Sequence, residues 1–148
     1  MVTMNYSFKL DCDERDFFKI LTNYENLPKY LPRQLKKIEI LDEHDNYTTI
    51  EPTISLRTLI KKEFSQKIGI EKKSENNISA EILDGFAKGT HITISILMEK
   101  EKTLCQVNSD VKLSLKTVIL YPIIKREYNS LITGVFRKIS IDARQAKE

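Results

Sequence analysis

From Ile38 to Leu113 apolar residues recur at every second position in one run after another, and from Ile124 to Ile139 they recur at the spacing of a helix face. The first pattern is that of half-buried strands and the second that of an amphipathic helix. The runs are Ile38 and Ile40; Ile50, Ile54 and Leu56; Ile60, Phe64, Ile68 and Ile70; Ile78, Ala80 and Ile82; Ile92, Ile94, Ile96 and Met98; and Cys105, Val107, Val111 and Leu113. The segments between them, such as "DEHDN", "KKSENN", Asp84-Gly85 and "EKEK", are short and polar. Connections of that kind join antiparallel neighbours. Pro52 lacks a ladder donor and predicts an edge or a bulge near it. The helix face is Ile124, Tyr128, Leu131, Ile132, Val135 and Ile139, with Pro122 suited to the first turn. From Pro122 to Ala146 such a helix runs about 37 Å. Gly134 lies within it, where it admits a close approach to the sheet, leaves room for a ligand, or is simply tolerated.

Before these runs, Met4, Tyr6, Phe8 and Leu10 alternate with Asn5, Ser7 and Lys9, predicting another strand. Asp13 offers an N-cap oxygen, with Glu14 and Asp16 in the first turn, and predicts a short helix over 13–22. Pro28 and Pro32 then bracket about one helical turn, because Pro28 suits a first helical position and Leu31 is driven from the α region by Pro32. That turn presents Leu27, Tyr30 and Leu31. The order predicts an α+β fold: a seven-stranded antiparallel sheet curved around a long C-terminal helix, with two short helices after the first strand. Its 148 residues suit one domain, 1–148.

In "ILTNYENLPKYLPRQLKKIEIL" the chain resembles the START-type helix-grip proteins, the SRPBCC superfamily that includes polyketide cyclase/dehydrase and coenzyme Q-binding groups. The segments "SLRTLIKKEFSQKIGI" and "ISAEILDGFAKGTHITI" are similar to the middle strands of the coenzyme Q-binding group. One departure is the absence of tryptophan, which members of that group often carry where this chain reads "THITISI". The resemblance implies a hydrophobic cavity between sheet and C-terminal helix, and it implies that Leu27, Tyr30 and Leu31 form a lid at its mouth. Those residues otherwise plug one end of the core.

Four polar residues fall on faces that are otherwise apolar. Gln66 stands between Phe64 and Ile68, Ser109 between Val107 and Val111, and Tyr128 on the inner face of the helix; Tyr6 does the same on the first strand. They either bond to backbone or water within a core, or orient the polar end of a ligand. In the second case Phe64, Ile94, Val107 and Leu131 supply the apolar wall. No catalytic constellation, cofactor motif or metal-ligand spacing is visible. His44 lies in a polar turn, and His91 lies on the strand face opposite Ile92 and Ile94.

The function expected is therefore binding of an apolar small molecule, a lipid, isoprenoid quinone or polyketide-like compound, as carrier or chaperone. The alternatives are a polyketide cyclase/aromatase-like enzyme and a ribosome-associated or protein-interaction module of the same fold. A formal charge of +3 is far below the footprint of a DNA binder. Lys29, Arg33, Lys36 and Lys37, with Lys61 and Lys62, are either a solvated face or a contact for an anionic membrane, an acidic ligand or the ribosome. No apolar run approaches 20 residues, and the first residues lack the apolar core of a signal peptide. Cys12 and Cys105 are too few for a disulfide framework, so a cytoplasmic protein with reduced thiols is expected. Oligomeric state is not legible.

Overall fold

The computed structural model describes residues 2–56, 60–99 and 102–145, with side chains at all of these except 2, 56 and 60–62. The elements follow the predicted order: β1 (Val2–Leu10), α1 (Glu14–Leu21), a 3-10 helix (Tyr24–Tyr30), β2 (Leu35–His44), β3 (Tyr47–Leu56), β4 (Ile60–Ser65), β5 (Ile68–Ser74), β6 (Asn77–Ile82), β7 (His91–Glu99), β8 (Lys102–Val111) and, after a single 3-10 turn, α2 (Tyr121–Gln145). The sheet is antiparallel in the order β1-β8-β7-β6-β5-β3-β2, with β4 also paired to β3. α1 and the 3-10 helix carry the chain from one edge strand to the other.

The expected seven strands become eight because the run from Ile60 to Ile70 breaks at Gln66 and Lys67. Thr53 of β3 pairs with Ser65 of β4, and Ile50 of β3 pairs with Ile68 of β5. Pro52 stands opposite the break and has no N–H to donate, so the ladder cannot continue. Gln66 N donates to Pro52 O at 3.2 Å. The Lys67 amide donates instead to Asp84 Oδ1 at 2.8 Å.

α1 starts as the sequence predicts, with Asp13 accepting from Arg15 N. The proline turn differs. Its helix begins at Tyr24, so Pro28 lies inside rather than at its first position. A short 3-10 helix tolerates this because few of its amides are needed for internal bonds. Leu31 leaves the helix outside the α region (φ −141°, ψ 69°), as Pro32 demands.

α2 buries Ile124, Leu131, Val135, Phe136, Ile139, Ser140 and Ala143. Phe136 packs edge-on against Phe8 of β1 (centroids 5.7 Å) and Phe17 of α1 (5.6 Å). Asp11 N donates to Ser140 Oγ at 3.1 Å and fixes the end of β1 to the same stretch of helix. Gly134 does admit a close approach, but of the proline turn rather than of the sheet. A Cβ there would lie 2.8 Å from Leu31 Cδ1. Leu31 packs against the core and Tyr30 is buried, and the Tyr30 hydroxyl donates to Asp142 Oδ2 at 2.5 Å.

Two outcomes follow. Gly134→Ala sets a helix-propensity gain of about 1 kcal/mol against a clash with Leu31. The substitution should stabilise by about that amount in a Leu31→Ala background and by distinctly less in the wild type. Additive effects in a double-mutant cycle by urea melts would deny the contact. The second outcome concerns alkaline pH. Burial, and then the nearby Glu43 carboxylate, pushes the Tyr24 phenol up to about 12. Burial alone pushes the Cys105 thiol up to about 12. The folded state thus keeps protons that the unfolded chain releases from about pH 9 upward, so this stabilisation is complete below that pH and is lost as pH rises toward 12. Stability should decline over that window, and Tyr24→Phe should remove part of the slope. An unchanged slope in the variant would contradict the assignment.

Candidate functional site

The site grows from the break in the ladder opposite Pro52. Leaving the strand path there, Gln66 turns inward and is 1% exposed. Its Oε1 accepts from the Tyr128 hydroxyl of α2 at 3.2 Å, while its Nε2 is buried with no partner among the described residues. Burial drives the Tyr128 phenol well above its ordinary value, and the bond to Gln66 opposes this only in part. A neutral phenol donating to an amide oxygen is therefore the state at physiological pH.

Around Tyr128 a cavity of about 50 Å³ lies between the N-terminal half of α2 and the sheet. Its walls include Met4 of β1, Ile92 of β7, Ser109 of β8, and Tyr121, Ile124 and Tyr128 of α2. The hydroxyls of Tyr6 and Tyr121 are both buried, and neither has a partner among the described residues. Burial first, and then the neighbouring Tyr121, pushes the Tyr6 phenol up; burial pushes the Tyr121 phenol up. Each uncompensated buried hydroxyl or amide costs about 1–3 kcal/mol. Three such groups, the Tyr6 and Tyr121 hydroxyls and Gln66 Nε2, are thus buried without a partner among the described residues.

Of the predicted site residues, Ser109 and Tyr128 line the cavity, and Gln66 reaches it only through its bond to Tyr128. Phe64, Ile94, Val107 and Leu131 belong to or pack against the adjoining core, and Phe64 meets Phe86 edge-on at 5.3 Å. Tyr30 and Leu31 stand apart, against Gly134 and Asp142. Those positions lie about 9 and 21 Å along the helix from Tyr128, so the proline turn closes the opposite end of the interior from this cavity. Tyr121 is the residue the sequence reading missed. It stands three before Ile124 and seven before Tyr128, so extending the helix face by one turn finds it.

Elsewhere the charged and nucleophilic groups are unremarkable. His44 and His91 are exposed beside Asp42 and Glu81. Lys29 and Lys37 pair with Asp142 and Glu39. Arg33 and Lys36 are exposed, and the side chains of Lys61 and Lys62 lie outside the described residues. Cys12 and Cys105 are free thiols. Among the described residues no cluster of three or more metal-ligating side chains forms, and no helix is long and apolar enough to cross a membrane.

An α2 laid across a curved antiparallel sheet, with two short helices bridging its edges, recurs in solved structures. The aromatase/cyclase Zhui from Streptomyces sp. R1128 superposes with a TM-score of 0.84 at 9% identity, covering 99% of this chain and 96% of that one. The chain has the START-type helix-grip fold. A START superfamily protein from Mycobacterium smegmatis gives 0.77 at 15% identity, covering 97% and 98%. Ginseng major latex-like protein 151 from Panax ginseng gives 0.73 at 10%, covering 96% and 97%. No family model and no curated protein matches the sequence. In this helix-grip chain the small apolar cavity lies at the N-terminal end of the gripped helix, while an open groove of about 740 Å³ runs between its C-terminal half and β1.

Replacing Tyr128 by Phe strips Gln66 Oε1 of its donor and should cost about 1–3 kcal/mol in the ligand-free protein. Replacing Tyr121 by Phe removes an uncompensated hydroxyl and should leave stability level or raise it. Equal losses in urea melts would mean that the Tyr121 hydroxyl is satisfied within the fold.

Proposed function

We propose that this chain is one ligand-binding domain that holds an apolar small molecule with a polar end between the sheet and the N-terminal half of α2. The observation that carries this is a set of buried polar atoms without a partner among the described residues: Tyr121 Oη in the cavity wall, Tyr6 Oη near Tyr121, and Gln66 Nε2 on the amide bonded to Tyr128. A ligand hydroxyl or carbonyl satisfies them, and its hydrocarbon part gains about 0.8 kcal/mol per buried methylene. The fold supports the reading, since ligand sites occur between helix and sheet in such architectures. At about 50 Å³ the cavity is several-fold smaller than the 300 Å³ at the low end of ligand pockets. Binding thus requires the first turns of α2 to swing outward, while its C-terminal half stays fixed by Phe136 and Leu31. Lipids and isoprenoid quinones fit this description, and carriage or chaperoning of such a molecule is the proposed role. The free thiols fit a reducing cytoplasm as its setting.

A second reading, polyketide aromatase/cyclase chemistry, draws on the neighbour Zhui. It would use the phenols, which are protonated at neutral pH, as hydrogen-bond donors; burial moves their titration further upward.

The test begins with native mass spectrometry of freshly purified protein, followed by organic extraction of whatever co-purifies. An apolar adduct is expected. Titration with a fluorescent fatty acid and a fluorescent quinone analogue follows, in wild type and in Tyr6→Phe/Tyr121→Phe. The double variant should lose about tenfold in affinity for a probe with a polar head and little for a probe without one. Absence of both an adduct and saturable probe binding would sink the carrier reading. Turnover of an aromatic polyketide precursor by wild type but not by the double variant would replace it with the second.

A further inference from the structure

The connection between β8 and α2 carries the two most exposed large hydrophobic side chains among the described residues. Leu115 is 93% exposed, Ile119 81% and Val118 49%. Internal hydrogen bonds fix their conformation. Thr117 N and Val118 N both donate to Ser114 O, at 2.9 and 3.0 Å, and Leu120 N donates to Thr117 O at 2.9 Å. The turn is also fastened to the loop before β7. Ser114 N donates to Phe86 O at 2.9 Å, and Lys112 N donates to Thr90 Oγ1 at 3.0 Å. A hydrogen-bonded turn therefore holds three large aliphatic side chains out into solvent.

The charge around them has one sign. From Val111 to Arg126 the chain carries Lys112, Lys116, Lys125 and Arg126 and no acid. Lys88 in the fastened loop adds a fifth cation, and the carboxylate of that loop, Asp84, is engaged by the Lys67 amide. At the two ends of the segment, Asp110 accepts from Thr3 and Glu127 has a partner of its own.

We infer that this turn docks on an anionic lipid surface, with Leu115, Val118 and Ile119 entering the acyl boundary and the cations meeting phosphate headgroups. Aliphatic residues within a basic rim are what such an interface requires. A second copy of the chain fits worse, since self-pairing would oppose one set of cations to another. Single-stranded RNA fits worse because aliphatic side chains offer bases no stacking surface. The segment also supplies Leu113, Tyr121 and Lys125 to the cavity wall. Docking thus brings the end of the molecule that holds the cavity against the membrane. The inference goes beyond the ligand-binding proposal and does not depend on it.

Co-sedimentation of the full chain with phosphatidylcholine vesicles, with and without phosphatidylserine, tests the assignment. Wild type should partition onto the anionic vesicles and release with salt. Leu115→Ser/Ile119→Ser should bind them at least about tenfold less with an unchanged melting temperature, because both residues are exposed. Lys116→Gln/Arg126→Gln should lose most of the preference for phosphatidylserine. Wild-type partition equal on both vesicles, or equal binding by wild type and the aliphatic variant, overturns the assignment. So does a wild-type dimer in sedimentation velocity that the aliphatic variant abolishes, or RNA retention without vesicle binding. Probe binding in the cavity is scored separately, so failure of either proposal is read without the other.

Discussion

Phe136 is the residue on which the arrangement of α2 depends. Its ring meets Phe8 of the edge strand and Phe17 of α1, so one side chain joins the sheet, the bridging helix and the long helix. Edge-on aromatic pairs add about 0.5–1.5 kcal/mol each beyond their buried area, and they fix orientation as well as distance. Around this junction the Leu31–Gly134 approach, the Tyr30–Asp142 bond and the Asp11–Ser140 bond all engage the C-terminal half of α2. The N-terminal half is held by the Tyr128–Gln66 bond and by buried Ile124 and Leu131. There the helix borders a small cavity, and the Tyr6 and Tyr121 hydroxyls are buried without a partner among the described residues. The close contacts of the helix thus gather toward one end, and the polar groups that need a partner lie toward the other.

A second constraint runs through Pro52. Losing one ladder donor splits the predicted strand into β4 and β5 and frees Gln66 to point inward toward Tyr128. A backbone restriction on one strand is thereby converted into a polar group at the helix–sheet boundary. Such a group is expensive unless satisfied, and only half of this amide is.

The pattern of twos and threes was sufficient to read the antiparallel sheet, the long helix and the inward placement of Gln66, Ser109 and Tyr128. These depend on local periodicity, which a single sequence carries. What escaped depends on which elements meet. Gly134 was legible as a close approach, but its neighbour, Leu31, comes from about a hundred residues earlier. The position of the proline turn, at the far end from the cavity, needed the path of the chain across the sheet. Tyr121 escaped because the helix face was begun one turn late, and Phe136 because it flanks the stripe rather than falling in it. The aliphatic turn at 115–119 has no period at all, so it read as connector. The identity of a bound molecule is absent for a different reason, since apolar walls report volume and hardly report chemistry.

The pairing of β1 with β8 has a bearing on how the protein is made. Val2 lies opposite Val111 and Leu10 opposite Thr103, so the first strand finds its neighbour about a hundred residues later. Contacts so distant in sequence close slowly, because the intervening chain must be ordered first. On the ribosome, β1 emerges early and stays unpaired until nearly the entire sheet has been synthesised. During that interval Met4, Tyr6, Phe8 and Leu10 form an alternating apolar strand with both edges open, a surface suited to capture by a chaperone or by another nascent chain.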